Sequence, residues 1–394
     1  MEPYGTNGTD LGETVSSRKR RSPRVLKMNR DMAAHHNRRT VLGLIAGRGP
    51  LSQLDISRLT HLQRSTVSYI LRDLKKWGFV SDADRIVSGR VGPRETLVEM
   101  APRSAWAAGL NLARTGHKLV LVNASGHTIC QHAFPAETPL PELLEDLPAR
   151  LAALSARFRL TPEACAGLTV CLPGIIDVKE GVVLNSRSLE LQNFPLREEV
   201  AKRINCELLI ERNAVCGAYS ELQLGGWEDG ENFVYLVVRT ERGRGSGEEQ
   251  FSYGLAVTQE GRIPRGANSS FGELHGQALP TAPLAKFRAS ARARQAFTRE
   301  VGTVVGSLVN LFDPRLFIIC GSPEFTQLVE MKALRAAAAE VITPFQGRKI
   351  DIESSSLGTD GVVLGAALLA LHRGLEARLK ALQEAPRAAT VANT

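Results

Sequence analysis

The segment "LSQLDISRLTHLQRSTVSYILRDLKKWGFV" at residues 51–80 decides how the N-terminal part of the chain folds. Its apolar residues recur at helical spacing on both sides of a break at His61 and Leu62, which predicts two helices joined by a short turn. In the second helix the apolar residues form one stripe that we expect to be buried: Val67, Ile70, Leu71 and Leu74.

The opposite face of this second helix carries side chains suited to contacts with DNA. In the major groove arginine binds guanine through two hydrogen bonds and glutamine binds adenine, while the helix N-terminus faces phosphate groups. The residues of this face that we predict to contact DNA are Gln63, Arg64, Ser65, Thr66, Ser68, Tyr69 and Arg72.

The flanking segments complete a winged helix-turn-helix. "RRTVLGLIAGRGPLS" at residues 38–52 predicts a preceding helix that ends at a glycine, and "SDADRIVSGRVGPRETLVEM" at residues 81–100 predicts two strands around a Gly/Pro-rich turn. Arg90 and Arg94 lie in that turn, where a basic wing contacts phosphates or the minor groove. We therefore predict a DNA-binding domain at residues 38–103; the alternative is a winged helix that contacts another protein.

The distribution of charge supports DNA binding. Up to Arg103 the chain has 19 Lys and Arg residues against 10 Asp and Glu residues, and the remainder has 30 against 31, so the net charge of +8 comes from the first quarter. A basic module joined to a near-neutral body is typical of a polyanion-binding domain with a separate sensing or catalytic domain. The start of the chain is poor in aromatic residues and rich in Gly, Ser, Thr and Arg, which predicts a disordered basic tail at residues 1–37.

The composition places the whole chain among soluble globular proteins. Of its 394 residues 43% are hydrophobic and 23% charged. No apolar run is long enough to span a membrane, and "MEPYGTNGTDLGETVSSRKRRS" lacks the pattern of a secretory leader, so we expect a cytoplasmic protein. The six cysteines include no C-x-x-C pair, which favours buried reduced thiols over disulfides or a zinc site.

From Ser104 onward, strand-like and helix-like segments alternate. Short strands such as "HKLVLVN" are followed by alternating helices and strands, and this order occurs twice. The repeat predicts two related α/β lobes with a cleft between them. We place the first lobe at residues 104–225, the second with the C-terminal helix at residues 226–383, and a flexible tail at residues 384–394.

Seven motifs stand out along the body and the winged helix. In chain order they are "STVSYILRDLKKWGFV", "LPGIIDVKEGVVLNS", "LQNFPL", "RNAVCGAYSE", "EGRIPRGANSSFGELHG", "NLFDPRLFIICG" and "LGTDGVVLGAALLAL". Together and in this order they resemble the ROK family of sugar kinases and sugar-responsive repressors, in the subgroup with an N-terminal winged helix-turn-helix. The resemblance implies an actin-like (ribonuclease H-like) two-lobed fold in which ATP and a sugar meet in the cleft. It also implies a homodimer or tetramer.

The chain departs from this pattern where a kinase binds ATP. The first phosphate loop, "GLNLARTG", has Asn111 where the family has an acidic residue. In place of the compact glycine-rich second loop stands "RTERGRGSGEEQFS", with Glu241, Glu248 and Glu249. Carboxylates at these positions repel a nucleotide, so we expect ATP binding to be lost.

The catalytic and zinc positions depart as well. Asn213 stands where the resemblance places the catalytic aspartate, and asparagine cannot take the proton of a sugar hydroxyl. Glu273 and His275 are retained, but no cysteine lies between Cys216 and Cys320 to complete a zinc site. We expect no catalysis, no metal and no cofactor.

The cleft retains residues that can recognise a polyol. The predicted effector-binding residues are Arg212, Asn213, Glu273, His275 and Asn193. Because Arg212 replaces the family's usual asparagine, we expect an anionic effector such as a sugar phosphate or sugar acid. The alternative is that Arg212 pairs with Glu211 or another neighbour and no effector binds.

Taken together, these features predict a transcriptional regulator that represses carbohydrate-related genes. We expect it to bind double-stranded DNA at an inverted repeat as a dimer, with one recognition helix in each half-site. Two alternatives stay open: a divergent sugar kinase with an accessory DNA-binding domain, and a ligand-independent regulator whose body serves only oligomerisation.

Overall fold

The structure, a computed structural model, describes residues 30–83, 96–135, 138–227, 232–242, 247–274, 279–280 and 282–384. Its N-terminal part has the elements of a winged helix, with its strands in the order β1-β3-β2. They are α1 (Arg30–Arg48), β1 (Leu51–Ser52), α2 (Gln53–Thr60), α3 (Arg64–Lys76), β2 (Val80–Asp82) and β3 (Leu97–Met100).

Local signals in the sequence determine where these helices start and stop. Gly49 follows α1 with a φ of 77°, which favours glycine because it has no Cβ. Ser52 and Asp55 form a reciprocal capping box at the start of α2, and His61 ends that helix in the left-handed conformation. The predicted pair of helices and its turn are therefore confirmed, as is the buried stripe of α3.

The first helix begins earlier than predicted. We expected a disordered tail as far as residue 37, but α1 starts at Arg30. Residues 30–37 contain no glycine or proline and include the helix formers Met32, Ala33 and Ala34. Our prediction averaged this segment with the Gly- and Ser-rich residues before it.

The first lobe is built on a five-stranded sheet in the order β11-β7-β4-β5-β6. Strands β4, β7 and β11 are parallel, and β5 and β6 continue the sheet in antiparallel fashion. The elements are β4 (Trp106–Asn111), β5 (Lys118–Asn123), β6 (Thr128–Ala133), α4 (Leu140–Arg157), β7 (Cys165–Leu172), β8 (Ile175–Asp177), β9 (Val182–Ser186), β10 (Leu191–Phe194), α5 (Leu196–Ala201), β11 (Leu208–Arg212) and α6 (Asn213–Leu224).

Sequence reasoning missed the small sheet β10-β9-β8. These strands are short, and polar residues such as Asn185 and Gln192 interrupt the alternation that indicates a strand. Pairing between the segments stabilises them, and a single-segment pattern does not report such pairing.

The second lobe has a four-stranded sheet in the order β13-β12-β14-β15. Its elements are β12 (Phe233–Arg242), β13 (Glu249–Thr258), α7 (Leu284–Arg288), α8 (Ala291–Phe312), β14 (Leu316–Gly321), α9 (Pro323–Leu328), α10 (Met331–Val341), β15 (Asp351–Ser354) and α11 (Asp360–Glu384). Within the described ranges, no helix is long and apolar enough to cross a membrane.

We had predicted that the C-terminal helix belongs to the second lobe. The structure shows that it also packs on the first lobe. Helix α11 packs on α6 and on β4 and β7 of the first lobe. Gly365 lies directly against the backbone of Cys216 in α6, and Gly374 against that of Ala166 in β7. The periodicity of α11 predicts a buried helix, whereas its glycines permit the close approach to these particular neighbours.

The winged helix and the body share one hydrophobic core. Val41 and Ile45 of α1 belong to the same cluster of buried residues as Leu371, Leu375 and Leu379 of α11. An ion pair of 2.8 Å between Arg39 Nε and Glu376 Oε1 joins the same two helices. The N-terminal module is therefore packed onto α11, and α11 is packed onto α6.

Candidate functional site

Helix α3 presents most of its predicted DNA-binding residues to solvent. The exposed ones are Gln63, Arg64, Ser65, Ser68, Tyr69 and Arg72, whereas Thr66 is half-buried. The guanidinium carbon of Arg72 lies 4.7 Å from the centre of the Tyr69 ring. A stacked arginine loses less side-chain freedom on meeting a ligand, so these two residues form a pre-arranged pair beside the N-terminal turn.

Contacts on its inner side fix the orientation of α3. Arg38 of α1 donates to Asp73 Oδ2 from Nε at 3.1 Å and from Nη2 at 2.6 Å, and its guanidinium also covers the Trp77 ring. At the other end, Gln53 Nε2 donates to the carbonyl oxygen of Arg64 at 2.8 Å. Both ends of the helix are held, so its exposed face has a defined position.

The wing is described only at its base. Strands β2 and β3 pair in antiparallel register from Val80 opposite Met100 to Asp82 opposite Val98. Arg90 and Arg94, which we predicted at the wing tip, lie outside the described residues.

The junction of β11 and α6 lies at the carboxyl edge of the first sheet, where the two lobes meet. Arg212 and Asn213 are only 3% and 4% exposed, so both are interior residues. Arg212 Nη1 forms an ion pair of 3.3 Å with Glu273 Oε1, and the Arg212 N–H donates to Glu211 Oε1 at 2.9 Å. Asn213 Oδ1 lies beside Gly254 of β13.

A second ion pair accompanies the first. Arg265 Nε donates to Glu211 Oε2 at 2.7 Å, and the carboxylate is only 3% exposed. Both pairs connect the end of β11 to the segment that follows β13. They close the two lobes over the start of α6.

The other end of α6 is also tied to the second lobe. The Glu221 carboxylate accepts hydrogen bonds from Ser355 Oγ at 2.5 Å, Ser356 Oγ at 2.9 Å and Trp227 Nε1 at 2.8 Å. Because Glu221 is only 2% exposed, these donors replace its water. Helix α6 thus spans the molecule between two anchored ends.

Sequence reasoning did not identify Arg239. Phe233, Tyr235 and Val237 of β12 face the core that contains α6, and Arg239 follows two residues later on the same face. Burial lowers the pKa of its guanidinium, while the nearby carboxylates of Glu241 and Glu273 oppose that shift. In the sequence, Arg239 is recognisable as a charged residue that continues the period-two pattern of apolar residues in β12.

The segment that we predicted as a long second phosphate loop is largely a hairpin. Strand β12 continues to Arg242, and β13 starts at Glu249, with Arg239 opposite Ser252 in the register. The hairpin is fixed to α9, because Thr240 Oγ1 lies 2.9 Å from Ser322 Oγ and donates to Glu324 Oε2 at 2.8 Å. Glu248 has electrostatic contacts, and Glu249 pairs with Arg288.

In the segment that the resemblance aligns with a first phosphate loop, Asn111 Oδ1 accepts from the Cys171 thiol at 3.5 Å. The buried His117 braces the turn: its Nδ1 accepts from the Ala113 N–H at 3.3 Å, and its Nε2 lies 3.0 Å from the Thr138 carbonyl oxygen. Burial lowers the pKa of His117, although the hydrogen bond to the Thr138 backbone opposes that shift. A pocket of about 350 Å³ opens here between the lobes and reaches Arg242.

The structure brings together three of the five predicted effector residues, namely Arg212, Asn213 and Glu273. Asn193 is exposed on β10 with a φ of 48°, and no contact between it and those three is seen in the described part of the chain. His275 lies outside the described residues.

The six cysteines are free thiols that are buried or half-buried. Cys171, Cys216 and Cys320 are buried free thiols, and Cys130, Cys165 and Cys206 are half-buried free thiols. Over the ranges that the structure describes, no group of three or more His, Cys, Asp or Glu residues is arranged to hold a metal ion.

Comparison with protein families assigns this architecture. Residues 107–286 match the ROK family, and residues 37–85 match the MarR family. The chain therefore contains a ROK family domain preceded by a MarR-type winged helix domain. Its winged helix and its two-lobed actin-like body are the fold that the sequence predicted.

The relatives of this chain include repressors. It is 29% identical over 240 residues to a putative xylose repressor of a Caldicellulosiruptor species, covering 60% of this chain and 57% of that protein. It is 22% identical over 374 residues to the xylose repressor of Bacillus spizizenii, covering 86% of this chain and 96% of that one.

Solved structures support the fold. A ROK family transcriptional regulator described as a homolog of the Escherichia coli MLC protein aligns with a TM-score of 0.67 at 18% identity, covering 88% of this chain and 98% of that one. A ROK family glucokinase from Streptomyces griseus aligns with a TM-score of 0.55 at 16% identity, covering 67% and 99%. Regulators and kinases thus share this body.

Proposed function

We propose that this ROK-family protein is a DNA-binding transcriptional repressor of carbohydrate-related genes. The observation that carries the proposal is α3, whose polar face is exposed while its inner face is clamped by Arg38 and Gln53. A helix held in this way can enter the major groove with its N-terminal residues at the base edges. The two xylose repressors among its relatives support the same activity.

The proposed DNA contacts are the exposed residues of α3, with Thr66 at their edge and Arg90 and Arg94 on the wing. The proposed assembly is a homodimer or tetramer on an inverted repeat, with one α3 in each half-site. Sedimentation of the protein with and without a DNA duplex tests this assembly, and a monomer bound to a single half-site contradicts it.

The proposed body is an inactive relative of a kinase. Asn213 stands at the position of a catalytic base but has no ionisable group, and Glu273 is already paired with Arg212. The β12–β13 hairpin is fixed to α9 rather than left as an open phosphate loop. These features favour regulation over phosphoryl transfer.

The proposed effector site is the cleft at the start of α6, with Arg212, Asn213 and Glu273 at its centre. Asn193 and His275 remain predictions from the sequence alone. Helix α6 leads directly from this cleft to the winged helix. The Tyr219 hydroxyl lies 2.6 Å from His372 Nδ1 of α11, and Gln223 lies beside Gly47 of α1. A ligand that prefers one position of α6 thereby shifts the winged helix and weakens DNA binding.

The decisive experiment selects bound fragments from genomic DNA and then compares the selected site with scrambled DNA by fluorescence anisotropy. Arg64→Ala is expected to weaken binding to the selected site by about tenfold to a hundredfold and to leave scrambled DNA largely unaffected. Arg90→Ala is expected to weaken both and to flatten the salt dependence. Arg292→Ala, an exposed arginine of α8, is the matched control and is expected to bind as the wild type does.

Equal losses on both DNAs for Arg64→Ala contradict the division between base and phosphate contacts, and failure to select any site rejects DNA binding. A divergent sugar kinase is the second candidate, favoured by the glucokinase-like fold. A coupled assay for ADP formation over a panel of hexoses separates the two. Turnover above that of the heat-inactivated protein supports the kinase.

A further inference from the structure

Arg212 has more hydrogen-bond donors than its surroundings use. Its side chain is 3% exposed, and Nη1 is satisfied by Glu273, but Nη2 is buried and has no hydrogen-bond partner. A buried guanidinium nitrogen without an acceptor is costly, because the water that it gave up has not been replaced. Such a group indicates that an acceptor joins it in another state of the protein.

Arg239 repeats this situation on the opposite lobe. Its Nη1 is buried without a hydrogen-bond partner, and so is the hydroxyl of Ser252, its neighbour across the β12–β13 ladder. Residues directly opposite in an antiparallel pair have Cβ atoms about 5 Å apart, so these two side chains are adjacent. Both lie on the face of the hairpin that continues from Val237 toward α6.

Glu273 lies near both arginines but is paired with only one of them. Glu273 is paired with Arg212 and is also within electrostatic reach of Arg239, whose other acidic neighbour is Glu241. Asn213, which lies between the lobes, is neutral. Donors therefore outnumber acceptors around Glu273, and the planar guanidinium fork matches the oxygens of a carboxylate or phosphate. The side chain of Glu273 is 33% exposed, so solvent reaches the site.

We propose that this cleft binds an oxyanion-bearing small molecule, a sugar acid or a sugar phosphate, whose anionic group bridges Arg212 and Arg239. Arg212 Nη2, Arg239 Nη1 and Ser252 Oγ donate to the anion, and Asn213 contacts a hydroxyl of the same molecule. The inference deepens the proposed function and rests on it for the assignment of the ligand as an effector. It adds Arg239 and Ser252, which come from the second lobe, so the anion joins the two lobes.

The test uses the full chain and matched ligands, namely glucose, glucuronate, glucose 6-phosphate and inorganic phosphate, with galactose and galacturonate as a second series. Calorimetry and thermal shift measure binding to the wild type, Arg239→Gln, Ser252→Ala and Arg292→Gln. We expect an acidic sugar to bind and its neutral counterpart to bind at least tenfold more weakly. Arg239→Gln is expected to lose about tenfold to a hundredfold in affinity and Ser252→Ala a smaller factor, with Arg292→Gln unchanged.

Any of three results with the sugars and variants overturns the inference, and a fourth concerns inorganic phosphate. The three are that neutral and acidic sugars of one series bind alike, that no compound binds, or that Arg239→Gln and Ser252→Ala both bind the anion as the wild type does. Inorganic phosphate that binds as tightly as every sugar derivative also overturns it, because the site then selects an ion only. A comparison of the affinities for glucuronate and glucose 6-phosphate shows whether the site prefers a carboxylate or a phosphate. Ser252→Ala keeps the test valid if Arg239→Gln does not fold.

DNA binding is measured separately on the same variants without ligand. We expect Arg292→Gln to bind the selected DNA site as the wild type does. If the wild type does not bind DNA, the proposed function is rejected and the anion result stands. If the wild type binds DNA but no anion, only this inference is rejected.

Discussion

At the scale of residues, the cleft is defined by buried charges that pair imperfectly. The sequence predicted Arg212, Asn213 and Glu273 because they occupy recognisable motifs, and the structure brings them together. It also shows Arg212 in contact with Glu211, but through its backbone N–H rather than its guanidinium. Arg239 was not predicted, because the period-two pattern of β12 places it on an apolar face but does not tell which face meets the other lobe.

The pairing of Glu211 leads to a prediction about stability. Glu211 accepts from Arg265 and from the Arg212 N–H while almost fully buried. Removing one partner of a buried pair leaves an uncompensated charge, so Glu211→Gln is expected to lower the free energy of unfolding by about 3 kcal/mol. Urea denaturation measures this loss.

The matched control is Glu340→Gln, which breaks the exposed ion pair with Arg299. Exposed pairs contribute little, so we expect a change of less than about 1 kcal/mol for this variant. A loss as large as that of Glu211→Gln would show that burial does not decide the strength of the first pair.

At the scale of elements, periodicity predicted the helices well and pairing patterns poorly. The buried stripe of α3 and the glycine end of α1 were predicted because both depend on neighbouring residues only. The small sheet β10-β9-β8 and the extended β12–β13 hairpin were missed because their strands are stabilised by partners distant in sequence. The contact between α6 and α11 belongs to the same class.

That contact carries a pH prediction. Burial in the surrounding interior lowers the pKa of His372 to about 4, and its Nδ1 lies 2.6 Å from the Tyr219 hydroxyl oxygen. Arg39, Arg373 and Glu376 are the charges near Tyr219. In the unfolded chain this histidine titrates near 6.5, so below that pH the unfolded state binds a proton that the native state does not bind until about pH 4. The contribution of the neutral His372 to the free energy of unfolding is therefore fully present above pH 6.5. It decreases as the pH falls from 6.5 toward 4.

The measurement compares the wild type with His372→Gln by urea unfolding at pH 7 and pH 5. The free energy of unfolding of the wild type, relative to that of His372→Gln, is expected to fall by about 2 kcal/mol from pH 7 to pH 5, because only the wild type contains a histidine at this position. His35→Gln, which replaces a histidine of α1 instead, is the control that shows how far a histidine substitution elsewhere changes the pH dependence. An advantage that is constant or grows toward pH 5 contradicts a lowered pKa.

At the scale of the whole molecule, the arrangement that matters most could not be derived from the sequence. Composition and charge separated a basic module from a neutral body, and the motifs predicted two lobes. They did not predict that α11 packs on the first lobe, or that Val41 and Ile45 of the winged helix share its core. Such contacts depend on where glycines let backbones meet, and periodicity carries no information about that.

The shared core predicts that the winged helix and the body unfold together. Trp77 follows α3, and Trp227 follows α6, so fluorescence can report each part separately. With Trp106→Phe in both cases, Trp227→Phe leaves Trp77 as the reporter and Trp77→Phe leaves Trp227. We expect both reporters to show one midpoint, because burial of α1 against α11 is lost only when both parts unfold.

Leu375→Ala, which removes part of the shared core, is expected to lower both midpoints together, by several degrees. A Trp77 transition that precedes that of Trp227 by more than about 5 °C would mean that the winged helix unfolds by itself, and the route from the cleft through α6 and α11 to α3 would then lack the stiffness that coupling requires.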